Sequence, residues 1–249
     1  MSIIIKRLFV IILLFAGATN IAQGQAFNFQ AIDGGNQQIH VILNGETLTI
    51  ACLKDTLFIK DVNEVKTTNV INKNFLVEIY SIRAGSGLNV QHTLILAVKN
   101  KVLRQALHFT SFFHEDFIDF RKNPPTPNKP DIISNYETGL NLTGSTATDY
   151  RLGIKIHDER KAKDNPQTNY HKSNEVTLSF DTSRAIFYSK HEYIARYFSI
   201  FDPKTDNENK QYIRGAFPMI KLGSYRYYYI KGEWYEKNEY GDMSKYAYK

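Results

Sequence analysis

Along most of this chain apolar and polar residues alternate with a period of two, and helical spacing is scarce. QQIHVIL (37–43) runs into Asn44-Gly45 and then ETLTIACL (46–53), where Leu48, Ile50 and Cys52 alternate with Thr49 and Ala51. Such alternation predicts strands with one buried face. Asn-Gly between two of them predicts a hairpin, because both residues accept positive φ. FLVEIYSIR (75–83), NVQHTLILAV (89–98) and VLRQALHFTSFF (102–113) predict three more strands, joined through Ala84-Gly85-Ser86-Gly87 and Lys99-Asn100-Lys101. Connectors this short join antiparallel neighbours, since a parallel crossover takes about a dozen residues or more. Residues 38–113 therefore read as a meander of about five strands.

HEDFIDFRKN (114–123) carries Phe117 and Phe120, which with Phe113 stand at helical spacing and predict one short helix. It stops at Pro124-Pro125. PPTPNKP (124–130) is the evident breaker cluster, and 121–131 reads as a connector between a first β unit at 25–120 and a second at 132–249. In the second unit GLNLTGSTATDYRLGIKI (139–156) offers short strands, and DERKAKDNPQTNYHKSN (158–174) reads as a long polar loop. EVTLSFD, RAIFYSK, EYIARYFSIFD and QYIRGAFPMIKL follow as strands, although IARYFSIF (194–201) lacks clean alternation and also suits a helix. Thr93–Leu96 before Val102-Leu103 is echoed by Thr177–Phe180 before Ile186-Phe187, which adds the option of two related β units. The fold class is thus mostly β, built of antiparallel, hairpin-rich meander sheets with at most one or two short helices.

The first residues change the picture of where the protein works. Lys6 and Arg7 precede an apolar run, Leu8 to Ala16, and small and polar residues follow in GATNIAQGQ. That order is a secretory signal peptide over 1–24, with Ala22 and Gly24 at the small positions before a cut between Gly24 and Gln25. The run is shorter than the roughly 20 apolar residues of a bilayer span, so no membrane span is expected after cleavage. The expected location is the periplasm, the outer envelope or the exterior. Cys52 is the only cysteine, which excludes an internal disulfide, and its place in the alternation makes it a buried small hydrophobe. The net charge of +6 comes from basic residues scattered among acidic ones, so no nucleic-acid footprint is present.

Candidate chemistry is sparse. Arg83-Ala84-Gly85-Ser86-Gly87 invites a phosphate loop or a nucleophile elbow, but both require a helix next, and LNVQHTLILAV has strand spacing. The residues read as a turn, with Arg83 and Ser86 as its binding candidates. His114-Glu115 and His191-Glu192 each fail to complete H-E-x-x-H, and His92 shares a face with Val90 and Leu94 as a core histidine does. DPKTDNENK (202–210) lacks an oxygen ligand at its third position and glycine at its sixth, so it is a turn rather than a calcium loop. No metal, cofactor or catalytic residue is expected, and Glu78, Glu175 and Glu233 are unranked carboxylates. The most suggestive patch is YRYYYIKGEWYEKNEY (225–240), a hairpin with Tyr225, Tyr227, Tyr229, Trp234 and Tyr235. Flat rings with polar edges suit a platform for sugar chains. The same residues equally suit cross-strand packing in a core. The expectation is an exported β protein with a non-catalytic binding or structural role in the cell envelope, its partner a glycan, an envelope polymer or an envelope protein. The alternative is a secreted hydrolase of envelope or environmental polymers.

Overall fold

The structure is a computed structural model and describes residues 23–121, 129–195, 199–200, 211–212, 214–237, 243–245 and 247–248. The chain opens with β1 (Gln23–Gln30), β2 (Asn36–Asn44), β3 (Thr47–Cys52) and β4 (Asp55–Ile59). Next come β5 (Val62–Ile71), β6 (Phe75–Ile82), β7 (Leu88–Lys99) and β8 (Val102–Phe117), then β9 (Ile132–Thr143), β10 (Arg151–Ala162), β11 (Tyr170–Asp181) and β12 (Ile186–Tyr188). The remainder forms β13 (Glu192–Ala195), β14 (Ser199–Ile200), β15 (Gln211–Tyr212), β16 (Gly215–Leu222), β17 (Tyr225–Ile230), β18 (Glu233–Lys237), β19 (Met243–Ser244) and β20 (Ala247–Tyr248). A single 3-10 turn at Pro166–Thr168 is the helical structure among the described residues. The fold is mostly β and its sheets are antiparallel, apart from a parallel bridge between β14 and β19.

β5 to β12 form one eight-stranded sheet in chain order. Its halves meet face to face. Phe75 of β6 packs its ring 5.3 Å from Phe180 of β11 and 5.1 Å from Phe187 of β12. The fold-over happens at β8, which pairs with β7 from Val102 to Glu115 but with β9 only from Phe112 to Phe117. Two register shifts against β7 leave Ala106 and Ser111 as bulges on β8. Bulges bend a strand and increase its twist, and these two let the sheet close on itself. β16 to β18 cover the open side of this core with Ile220, Leu222, Tyr227 and Trp234. The opposite face of β6 to β8 is covered by β1 to β4, joined at the edge by β20. β6 and β7 are therefore buried on both faces, which is why TLILAV is an unbroken apolar run rather than an alternating one.

Leaving β9 costs β8 part of its ladder, and side chains make up the loss. Leu103 donates its N–H to Asp55 Oδ2 at 2.8 Å, and Thr110 donates its own to Tyr227 Oη at 3.1 Å. Trp234 Nε1 donates to the Gln105 carbonyl at 3.0 Å, and Thr138 Oγ1 to that of Ser111 at 3.1 Å. Buried backbone groups must find partners, and here four different elements provide them.

Several expectations change. The meander has more strands than five, because β4 and β5 intervene before β6. Residues 114–117 continue β8 instead of starting a helix; Phe113 packs inward, and Phe117 and Phe120 are exposed. Ladder pairing with β9 wins over the helical spacing of these rings. The β2–β3 turn is Gly45-Glu46, with Asn44 paired to Thr47 and Gly45 at φ 58°. The polar stretch 158–174 is mostly strand, and only 163–169 is loop. The echo falls on two hairpins, β7–β8 and β11–β12. Residues 121–131 lie between β8 and β9, which pair in one ladder, and 122–128 are outside the described residues. So are 202–210, parts of IARYFSIF, and the signal segment up to residue 22; Gln23 and Gly24 begin β1. Among the described residues no helix is long and apolar enough to cross a membrane.

Candidate functional site

The aromatic hairpin forms as the sequence indicates, with Tyr229 opposite Trp234 and Tyr228 opposite Tyr235 around the Lys231-Gly232 turn. It is not an open platform. Tyr227 is 1 % exposed, Tyr229 8 %, Trp234 2 % and Tyr235 6 %, and Tyr225 stacks beside Tyr227 and edge-on to Tyr136. Tyr225, Tyr227, Tyr229 and Trp234 pack into the main core, and Tyr228 and Tyr235 pack on the other side with Ile230 and Met243. Both faces of the hairpin are covered by packing, and of the five rings only Tyr225 is partly exposed. Arg83 and Ser86 are exposed, and the Arg83 guanidinium is tied to Glu46 at 2.6 Å. The turn beside them is closed by Leu88 donating to the Gly85 carbonyl at 3.1 Å. Gly87 has φ 80°, and a Cβ there would stand 2.9 Å from the Asp116 carbonyl oxygen, so glycine is required for turn geometry alone.

Chemistry-bearing side chains instead meet inside the protein. Tyr80 Oη lies 2.6 Å from His108 Nε2. Thr110 Oγ1 donates to Glu236 Oε2 at 2.7 Å and stands 3.4 Å from His92 Nδ1. Burial drives the His108 pKa down to about 3 and that of His92 well below the usual imidazole range, with His108 nearby adding to the fall for His92. Burial raises Glu236, while hydrogen bonds from Thr110 and Tyr227 oppose the rise. Glu78, fully buried, is pushed up to about 7 by desolvation, with a hydrogen bond from Thr68 pulling the other way. Tyr80, His92, His108 and Thr110 are each at most 3 % exposed, so no substrate reaches them. Cys52 is buried as expected. Among the described residues no group of three or more His, Cys, Asp or Glu is placed to hold a metal ion. Of the unranked carboxylates, Glu233 is bound to Lys245 at 2.6 Å and Glu175 is exposed on β11.

A cleft opens elsewhere, at the end of the sheet where β8 and β10 finish and β9 begins. Phe117, Ile132 and Ala162 are in register across these three strands and form its floor. One wall is built around Asp131. Its N–H donates to the Phe117 carbonyl at 2.8 Å, its carbonyl accepts from Lys163 N at 2.9 Å, and its carboxylate accepts from Asp119 N at 2.7 Å. Asp119 in turn grips Arg121 through both oxygens at 2.8 and 3.0 Å. The opposite wall is the β10–β11 loop with Asp164, Asn165 and Thr168; Thr168 Oγ1 donates to the Asn165 carbonyl at 2.8 Å. Arg160 reaches in from β10, and its Nε–H is buried with no acceptor among the described residues. The cavity measures about 250 Å³.

None of these residues is singled out as a site by the sequence pattern, and Phe117 stands out only for its spacing with Phe113 and Phe120. Asp158 and Arg160 occupy alternating positions in line with Leu152, Ile154, Ile156 and Ala162, and these polar residues disguise β10 as a loop. The usable signal was Ile154, Ile156 and Ala162 at even spacing. No protein-family model matches this sequence, and neither a curated protein nor a solved structure matches the chain.

Proposed function

We propose that this chain is an exported β protein with a non-catalytic binding role in the cell envelope, exercised at the cleft between the ends of β8, β9 and β10. The observation that carries this reading is the cleft itself: an apolar floor and a rim of mixed donors and acceptors. Pockets that bind small ligands share this composition, with a few placed polar groups on an apolar surface. The ion pair between Asp119 and Arg121 occupies that carboxylate, which suits a fixed binding wall. Export rests on the signal-peptide pattern of residues 1–24.

The second reading, a polymer hydrolase, draws on Asp131 and Asp164 in the same cleft, since glycoside hydrolysis runs on paired carboxylates. One experiment separates them: incubation of the intact chain with envelope polysaccharides, peptidoglycan and soluble oligosaccharides, followed by mass spectrometry of the soluble fraction. Co-sedimentation without new fragments is the expected outcome. Release of shortened products, abolished by Asp131→Asn or Asp164→Asn, makes the protein a hydrolase.

A further inference from the structure

We infer that two copies of this chain pair edge to edge through β1, forming a two-fold dimer in which the two N-terminal sheets become one. β1 ends its sheet, and its ladder with β2 runs from Gln23 to Gln30 without a register shift. Gln30 donates its N–H to the Lys73 carbonyl at 2.6 Å, on the side away from β2. Backbone groups alternate in direction along an antiparallel strand, so Ala26 and Asn28, both within the expected mature chain, also turn theirs outward. Among the described residues no backbone group pairs with them there. An exposed row of this kind is a template for another strand, and proteins usually blunt it with charge, proline, bulges or shortness. β5 shows the defence, with two register shifts and the ion pair of Glu64 with Lys66. β12 and β13, two further edges, are three and four residues long. β1 has none of these devices.

What β1 presents fits a second β1. Ala26 and Asn28 are exposed and uncharged, and beside them on the outer face of the sheet β2 contributes Gln38, His40 and Ile42. No Asp, Glu, Lys or Arg stands on that face of β1 to β4. In a chain of net charge +6, two copies meet most easily where no cation is set against another. A two-fold axis at Phe27 pairs the strands antiparallel, with Ala26 of each facing Asn28 of the other. Each such pair exchanges two backbone hydrogen bonds, and the two Phe27 residues meet with about 4.5 Å between their Cα atoms. Phe27 is only half-buried against the core under its own sheet. A cross-strand aromatic pair covers its open side and stabilises the contact. The same patch serves on both copies, so the assembly closes at two. An edge pairing this short buries less than a standard interface, and the dimer dissociates at about micromolar concentration or above.

The test is analytical ultracentrifugation of the intact exported chain over a range of concentrations. The expected result is a monomer–dimer equilibrium whose dissociation constant rises about tenfold or more in Ala26→Pro and in Ala26→Lys. Proline at 26 removes an N–H that faces away from β2, so it spares the ladder within the monomer. Lysine there sets a charge on each of the two facing edges. Circular dichroism and thermal melts check that both variants are folded, and if Ala26→Pro is not, Ala26→Lys decides alone. Phe27→Cys is expected to give a disulfide-linked dimer on mild oxidation, because its thiols meet across the axis. Ile194→Cys, at an exposed position on β13, is expected to give none, and the native Cys52 is buried. A chain that stays monomeric up to about 1 mM overturns the inference. So does a dimer that ignores both Ala26 variants, since its contact lies elsewhere. A dimer lost in those variants but not linked by Phe27→Cys overturns the register. Assemblies larger than two that both variants abolish overturn the two-fold closure.

Discussion

Glu78 stands on β6 between Thr68 of β5 and Leu94 of β7, in a layer otherwise filled by Leu76, Tyr80 and Leu96. Among the described residues no cation holds its carboxyl ionised, so desolvation decides, and its pKa rises from 4.5 to about 7. Folding at pH 8 therefore strands a charge in the interior, at a cost of about 3 kcal/mol. Glu78→Gln is expected to lie close to the parent at pH 4 and to exceed it by up to that amount at pH 8, read from urea melts at both pH values. The Tyr80 hydroxyl shows the reverse dependence on a partner. Tyr80→Phe keeps the ring in the core but takes its hydroxyl from His108, and a loss of about 1–3 kcal/mol in the same melts is the expected outcome. The sequence placed His92 in the core from its neighbours Val90 and Leu94, and the structure agrees. It gave no sign that His108, sixteen positions further on, would come within 6.0 Å of the same ring. That proximity belongs to the β7–β8 register, including the bulge at Ser111.

Among the elements, turns were the most legible because their chemistry is local. Asn100 and Lys101 both take positive φ, at 53° and 62°, as a two-residue hairpin between twisted strands demands. Gly87 and Gly232 also have positive φ, but only Gly87 meets backbone when a Cβ is added. Gly87→Ala is expected to cost clearly more than Gly232→Ala, about 1 kcal/mol or more apart, in matched thermal melts. Helix or strand at 113–120 was not legible. Phe113, Phe117 and Phe120 fit one helical face, yet β9 offers a ladder and the strand prevails. The aromatic hairpin was legible as a hairpin and illegible as a surface or core feature, since alternating rings pack equally well against water-facing sugars or another sheet. Trp234 illustrates what settled it: its indole N–H repairs the β8 edge at the Gln105 carbonyl. Trp234→Phe retains most of the apolar ring and leaves that carbonyl without this donor. A destabilisation of about 1–3 kcal/mol is expected in urea melts, with strand content by circular dichroism preserved.

The whole molecule should show a broad stability maximum between about pH 4.5 and 7. His92 and His108 have folded pKa values below their ordinary 6.5, so the unfolded chain binds more protons and stability falls as pH drops below that value. Glu78 has a folded pKa above its ordinary 4.5, so stability is lost as pH rises from there to about 7. Between these values the two histidines oppose two carboxyls raised by burial, Glu78 and Glu236, so stability is broadly maximal there and the acid limb, which the histidines carry, is the steeper one. Urea melts from pH 4 to pH 9 check this, and Glu78→Gln should flatten the alkaline limb. The last described strand also closes the first sheet: β20 pairs with β4 at the edge opposite β1, and Ala247 is buried in the core beneath that sheet. Deleting the residues after Lys237 is expected to lower the melting temperature and to separate unfolding of β1 to β4 from the rest in a calorimetric scan.

By itself the sequence determined the strand class, the antiparallel neighbours, the tight turns and the burial of Cys52. Each of these depends on spacing within a few residues, through side-chain alternation and the φ that a turn requires. Only the tertiary structure decided that one sheet folds over at β8, that the tyrosine-rich hairpin faces inward, and that Phe117, Asp131, Arg160 and Thr168 line one cleft. Those outcomes depend on which surfaces find a covering partner. Alternation says that a strand has two faces, and only the packing of distant strands says what lies against each.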